Sequence, residues 1–143
     1  MQAFQLHAVL KFRRRLEGSA RQGLATALEE EAKASQILAR HQQELEGLYH
    51  SSQQHKTAGT TISQLIMIEN RVSRVQEELA LARETMAKVQ ARVHKQRQAL
   101  LKASQDRQII EKMEAQQNLA FRKYLTKKEQ AMLDELAVLY HNR

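Results

Sequence analysis

Cysteine, proline and tryptophan are absent from the chain, and glycine occurs only four times. Without cysteine there is no disulfide scaffold and no zinc–thiolate site. Proline normally supplies about one residue in twenty, so a chain of 143 residues without one is unusual. Three Phe and three Tyr are too few to fill a wide globular core. These absences speak against a β-sandwich, an α/β enzyme fold and a disulfide-rich domain. Nucleotide-cradling glycine loops of the GxxxxGK[ST] or GxGxxG type are also missing. The opening MQAFQLHAVLKFRRRLEGS holds no apolar run of signal-peptide length. No stretch approaches the roughly 20 apolar residues of a membrane span. A soluble, intracellular chain is expected.

What remains is rich in Ala, Glu, Lys, Leu, Gln and Arg, the composition of long helices. Charged residues make up 27% and the mean hydropathy is −0.62. The net charge is +7 and the isoelectric point about 9.9. Such a balance suits an acidic partner, whether nucleic acid, an anionic membrane or an acidic protein surface.

The second half keeps a seven-residue beat. From Leu65 the a and d positions are Leu65, Ile68, Val72, Val75, Leu79, Ala82, Met86, Val89, Val93, Gln96, Leu100 and Ala103, eleven of the twelve being apolar. A 3.5-residue spacing held this long makes a narrow stripe that winds around a partner helix. Beyond Ala103 the beat weakens, with Arg107 and Glu114 at a positions. A new apolar set follows: Leu119, Phe121, Tyr124, Leu125, Met132, Leu133, Leu136, Leu139 and Tyr140. The helix is expected to continue there with a different packing partner.

The first half carries a rougher stripe through Leu6, Val9, Leu10, Phe12, Leu16, Ala20, Leu24 and Leu28, then Leu38, Gln42, Leu45 and Tyr49. Gly18 and Gly23 each weaken the helix by about 1 kcal/mol relative to Ala and suit close packing or a slight bend. The segment HSSQQHKTAGTTIS, residues 50–63, has no stripe; Gly59 can take positive φ and Thr60 or Thr61 can cap a helix. The reading is therefore all-α: one antiparallel coiled-coil hairpin over 1–143, with a helix at about 3–48, a turn at about 49–61 and a longer helix at about 62–141. Pairing outward from that turn brings the N-terminus near Ala103. The stretch from Ser104 onward is then expected to overhang, awaiting another protein or a second copy.

Catalytic chemistry finds no home in this pattern. His7, His41, His50, His55, His94 and His141 form no HExxH motif. His50 and His55 read as exposed polar residues of the turn. Glu29, Glu30 and Glu31 read as a solvated helix face, since a thin hairpin lacks the cleft that would tune paired carboxylates. No enzyme, cofactor or metal site is expected. Arg13, Arg14 and Arg15 cluster near the N-terminus. Arg83, Lys88, Arg92, Lys95, Arg97 and Lys102 lie on coiled-coil flanks. No aromatic falls within residues 51–119, so stacking platforms for nucleic acid are missing there. Phe4, Phe12, Phe121, Tyr124 and Tyr140 belong to the terminal end, where hairpin pairing is least able to bury them. They mark either an interface or local packing.

At this point the order of features resembles the flagellar export protein family FliJ. The start FQLHAVLKFRRRLEGSARQGLATA, the middle LYHSSQQHKTAGTTIS and the end DRQIIEKMEAQQNLAFRKYLTKKEQAMLDELA, with Glu129-Gln130 and Asp134-Glu135, follow that family's order over nearly the whole chain. The resemblance implies a cytoplasmic, non-enzymatic component of the flagellar type III export apparatus, peripherally associated with the inner membrane at the flagellar base. It further implies a stalk-like coiled coil that enters a hexameric export ATPase, promotes its assembly and activity, and contacts the cytoplasmic domain of the export gate. Some members handle export chaperones. Carried onto this chain, the ATPase-binding candidates are Phe4, Arg13, Arg14, Arg15, Phe121, Tyr124 and Tyr140. The gate-binding candidates are Leu38, Gln42, Leu45 and Tyr49 on the first helix and Val72, Val75 and Leu79 on the second. The last three are also seam positions, where burial competes with contact. Two alternatives stand beside this: the related stalk of a virulence type III secretion system, and a basic hairpin that binds nucleic acid.

Overall fold

The computed structural model describes the backbone of residues 2–142 and the side chains of residues 5–142. Two helices account for nearly all of it: α1, Gln2–Ala58, of 57 residues, and α2, Ile62–His141, of 80 residues. They pack against each other, and no strand occurs among the described residues.

The turn is much tighter than the composition suggests. Gly59, at φ 87°, is the break, in the left-handed region that glycine enters without a Cβ penalty. Thr61 caps α2: its Oγ1 accepts the Gln64 amide at 3.3 Å, and its carbonyl accepts the Leu65 amide at 3.2 Å. The Thr60 hydroxyl donates to Gln64 Oε1 at 2.6 Å. Upstream, the polar run expected to be loop is helical to Ala58. Its side chains bond back to the preceding turn instead of breaking it. Thr57 donates to the Gln53 carbonyl at 2.9 Å, and His55 Nδ1 lies 2.8 Å from the Ser51 carbonyl. Polarity alone does not end a helix; the glycine does.

By contacts the chain divides into two units, Arg21–Ala99 and the paired segments Met1–Ala20 with Leu100–Arg143. Within Arg21–Ala99 the helices run antiparallel. Glu44 meets Arg71, His41 meets Glu78 and Glu30 meets Arg92. On α1 the inward positions are Leu24, Ala27, Glu31, Ala34, Leu38, His41, Leu45 and Leu48, in alternating steps of three and four. On α2 they are Leu65 to Gln96 in the expected register, with Val75, Leu79, Ala82, Val89 and Val93 buried. Ala27 and Ala34 are small, which lets the Val and Leu side chains of α2 seat deeply. Each such burial stabilises by about 1.5–3 kcal/mol. Gly23 faces Gln96, whose Oε1 would lie 2.7 Å from a Cβ placed there. Gly18 has nothing within 4 Å, so close packing accounts for one glycine and not the other.

The other unit has a different seam. Leu6, Leu10, Arg13, Glu17 and Ala20 of α1 keep the alternating spacing, facing inward along with Leu100, Ala103, Arg107, Ile110, Glu114 and Gln117 of α2. The heptad register does not stop at Ala103; it carries polar residues instead. Glu17 is 7% exposed and accepts from Arg107 Nε at 2.5 Å, while Arg107 Nη1 reaches Glu111 at 2.8 Å. The Glu17 hydrogen bond, then that of Glu111, holds the Arg107 guanidinium above its ordinary pKa. Val9, Phe12, Leu16 and, in the first unit, Leu28 lie outside the seam and are 39–55% exposed. The rougher apolar stripe read for the first helix is thus corrected by one position.

The overhang also begins later than expected. Residues 118–142 are all exposed, whereas Ser104, Asp106, Arg107, Ile110, Glu111, Glu114 and Gln117 are half-buried. The tight turn adds some ten residues to α1, and these extend its pairing along α2. No helix among the described residues is long and apolar enough to cross a membrane.

Candidate binding surfaces

The terminal unit separates its candidate residues by role. Of the arginine triplet, Arg13 pairs with Asp106 at 3.5 Å and Arg14 with Glu111 at 3.6 Å. Both are committed to the hairpin. Arg15 is exposed and enters no ion pair among the described residues. The side chain of Phe4 lies outside the described residues. Phe121, Tyr124 and Tyr140 project from the unpaired part of α2 at 61, 59 and 74% exposure. Phe12, left out of the candidate set, is 55% exposed. Val9 and Met113 border a shallow groove with Gln5, Leu6, Gln116 and Gln117. The signal that could have found Phe12 and Val9 was their offset by one position from the alternating Leu6, Leu10, Arg13, Glu17 series.

Near the turn the candidates split by burial. Val75 and Leu79 are 3% and 5% exposed, Val72 is half-buried, and all three belong to the seam. Leu38 and Leu45 are half-buried seam residues as well. Gln42 and Tyr49 face outward. The Tyr49 hydroxyl accepts from Gln76 Nε2 at 2.9 Å, so the ring is held in place while its face stays open. Two apolar surfaces escaped the sequence reading. Ile37 and Leu81, 45% and 63% exposed, flank Ala34 and Ala82 over a depression of about 290 Å³. Beside the turn, Ile62, Ile66 and Met67 are 76, 51 and 71% exposed. All lie off the a and d positions, which is why a search for seam residues passes over them.

Several arginines are taken up by pairing between helices. Arg92 donates to Glu30 at 2.6 Å, which removes one cation from the basic flank and one member from the acidic triplet. Glu31 lies half-buried in the seam. His41, Glu44 and Glu78 bring ligand atoms within 4.8 Å of one another, an arrangement the i, i+3 spacing of His41 and Glu44 allows. Both carboxylates already hold cations, Glu44 with Arg71 at 3.2 Å and Glu78 with Arg74 at 3.6 Å. The geometry is that of a crossed ion-pair network.

A protein-family model described as "Flagellar FliJ protein" matches residues 1–143. No curated protein and no solved structure matches the chain.

Proposed function

Because the chain belongs to the FliJ family of flagellar type III export components, we propose that it acts as a stalk-like coiled coil between a hexameric export ATPase and the export gate. The protein performs no chemistry and needs no cofactor in this reading. It promotes assembly and activity of the ATPase ring by fitting it, and it sits at the flagellar base against the inner membrane without crossing it. An escort role for export chaperones belongs to the same reading.

One observation carries it: the aromatic residues of α2 stand on a stretch of helix, residues 118–142, that is exposed throughout. Phe121, Tyr124 and Tyr140 have more than half their surface in water. Exposed aromatics in a row mark an interface. Arg15 adds an exposed cation in the same unit, one in no ion pair among the described residues. Gln42 and Tyr49 supply the outward residues for the gate, whereas Val75 and Leu79 serve the fold. The nucleic-acid reading is the weaker one, since no aromatic lies among the basic flank residues.

The test is binding of the chain to its cognate export ATPase, followed by sedimentation. Replacing Phe121 and Tyr124 together by alanine weakens binding while circular dichroism shows unchanged helix content. Undiminished binding by that double variant counts against the terminal interface.

A further inference from the structure

Residues 118–142 are exposed throughout, yet their side chains are not those of a solvated helix. Phe121, Leu125, Met132, Leu136 and Leu139 are exposed by 42–65%. Their positions place them along one face. Phe121 and Met132 are eleven residues apart, as are Leu125 and Leu136. Eleven residues make three turns of about 3.67, so the stripe runs straight along the helix. A face of this kind, left in water, asks for a second helix.

The charges around it say which one. Lys128 and Glu135, seven residues apart, border the same side of the stripe, whereas Lys123, Lys127 and Asp134 fall on the far side of the helix. A parallel copy sets opposite borders of the stripe side by side, so Lys128 and Glu135 of the two copies do not meet. An antiparallel copy sets like borders side by side with the chain direction reversed, which brings Lys128 of each tail beside Glu135 of the other, the arrangement electrostatics favours.

We propose that a second copy of this chain covers the stripe, the two tails lying antiparallel about a two-fold axis beside Gln130. Phe121 and Leu125 of one copy then lie level with Leu139 and Leu136 of the other. The two Met132 side chains meet near the centre, and each Lys128 comes within about one turn of Glu135 of the second copy. The contact is isologous, so it closes at two copies and does not propagate. Residues 121–141 give about 30 Å of paired helix, which is short. The dimer is therefore reversible and concentration-dependent. It uses the side chains assigned above to the ATPase ring, so one copy cannot hold both partners at once. The pairing itself does not rest on that assignment, and its test uses the chain alone.

Sedimentation equilibrium of the full chain across a range of concentrations reads the mass. The expected result is a shift from 16.5 kDa toward twice that value. Leu136→Glu weakens the association at least about tenfold with helix content by circular dichroism retained. Lys128→Glu weakens it too, and adding Glu135→Lys restores it. Because the chain has no cysteine of its own, orientation is read by disulfide formation. Leu125→Cys mixed with Leu136→Cys links between copies, and neither variant links to itself. A single mass of 16.5 kDa at every concentration overturns the proposal. So does self-linking by either cysteine variant, which marks a parallel pair, and so does undiminished dimerisation of Leu136→Glu, which places the contact elsewhere.

Discussion

Leu79 and Tyr49 illustrate how burial assigns work to single side chains. Leu79 is 5% exposed in the seam, while Tyr49 is 49% exposed with its hydroxyl accepting from Gln76. Leu79→Ala removes packed methyl groups from a narrow core and is expected to cost about 2–4 kcal/mol in urea unfolding. Gln42→Ala removes an outward side chain and is expected to move stability by less than about 0.5 kcal/mol. If the outward residues meet the export gate, Gln42→Ala with Tyr49→Ala lowers gate binding in a pull-down while thermal unfolding stays near wild type. A gate defect from Leu79→Ala alone, with stability intact, would reverse that assignment. In the terminal unit, Glu17 holds the Arg107 guanidinium above its ordinary pKa. A cation whose folded pKa is raised contributes stability below its unfolded value and loses it as pH rises through the folded one. That window lies in strong alkali. Glu17→Ala is accordingly expected to lower the melting temperature by the same amount at about pH 7 and about pH 9. A decrement that shrinks between those pH values would mean that Arg107 is not the partner that matters.

The elements were legible in the sequence to the extent that apolar side chains mark them. The heptad from Leu65 to Ala103 is apolar at every position but Gln96, and all twelve positions are buried or half-buried. Past that point the same register holds through Arg107, Ile110, Glu114 and Gln117, but hydrophobicity no longer reports it. A half-buried arginine paired with a buried glutamate leaves no apolar trace, so the seam looked as if it had ended. The same limit hid the inward positions of α1, where Arg13, Glu17, Glu31 and His41 alternate with leucine and alanine. It also let the exposed Phe12 and Leu16 pass for core. Polar pairs of this kind set register more than they add net stability. The turn failed for a different reason. Ser51, Ser52, His55 and Thr57 are weak helix formers in isolation, yet Thr57 and His55 satisfy their polar atoms on the preceding turn. Gly59 and Thr61 are where the chain has no alternative. Gly59→Ala places a Cβ on a residue at φ 87° and is expected to cost about 1–2 kcal/mol. Thr61→Ala removes the cap on the Gln64 amide and is expected to cost about 1 kcal/mol. Both are measured by chemical denaturation; a neutral Gly59→Ala would show that the turn adopts another conformation.

For the molecule as a whole, the account divides the chain into parts that serve the fold and a part that serves partners. Between Leu6 and Gln117 the described residues bury a seam; residues 118–142 are exposed throughout. Deleting residues 119–143 is therefore expected to leave the midpoint of thermal unfolding within a few degrees of wild type, an interval of about 1 kcal/mol, while abolishing engagement of the ATPase. The most direct trial of the central claim is ATP hydrolysis by the cognate export ATPase, with hexamer content followed by sedimentation. It compares three conditions: no added chain, the full chain, and the chain carrying Phe121→Ala with Tyr124→Ala. The account predicts faster hydrolysis and more hexamer with the full chain, and neither with the double variant. Unchanged hydrolysis and unchanged hexamer on adding the full chain would contradict it.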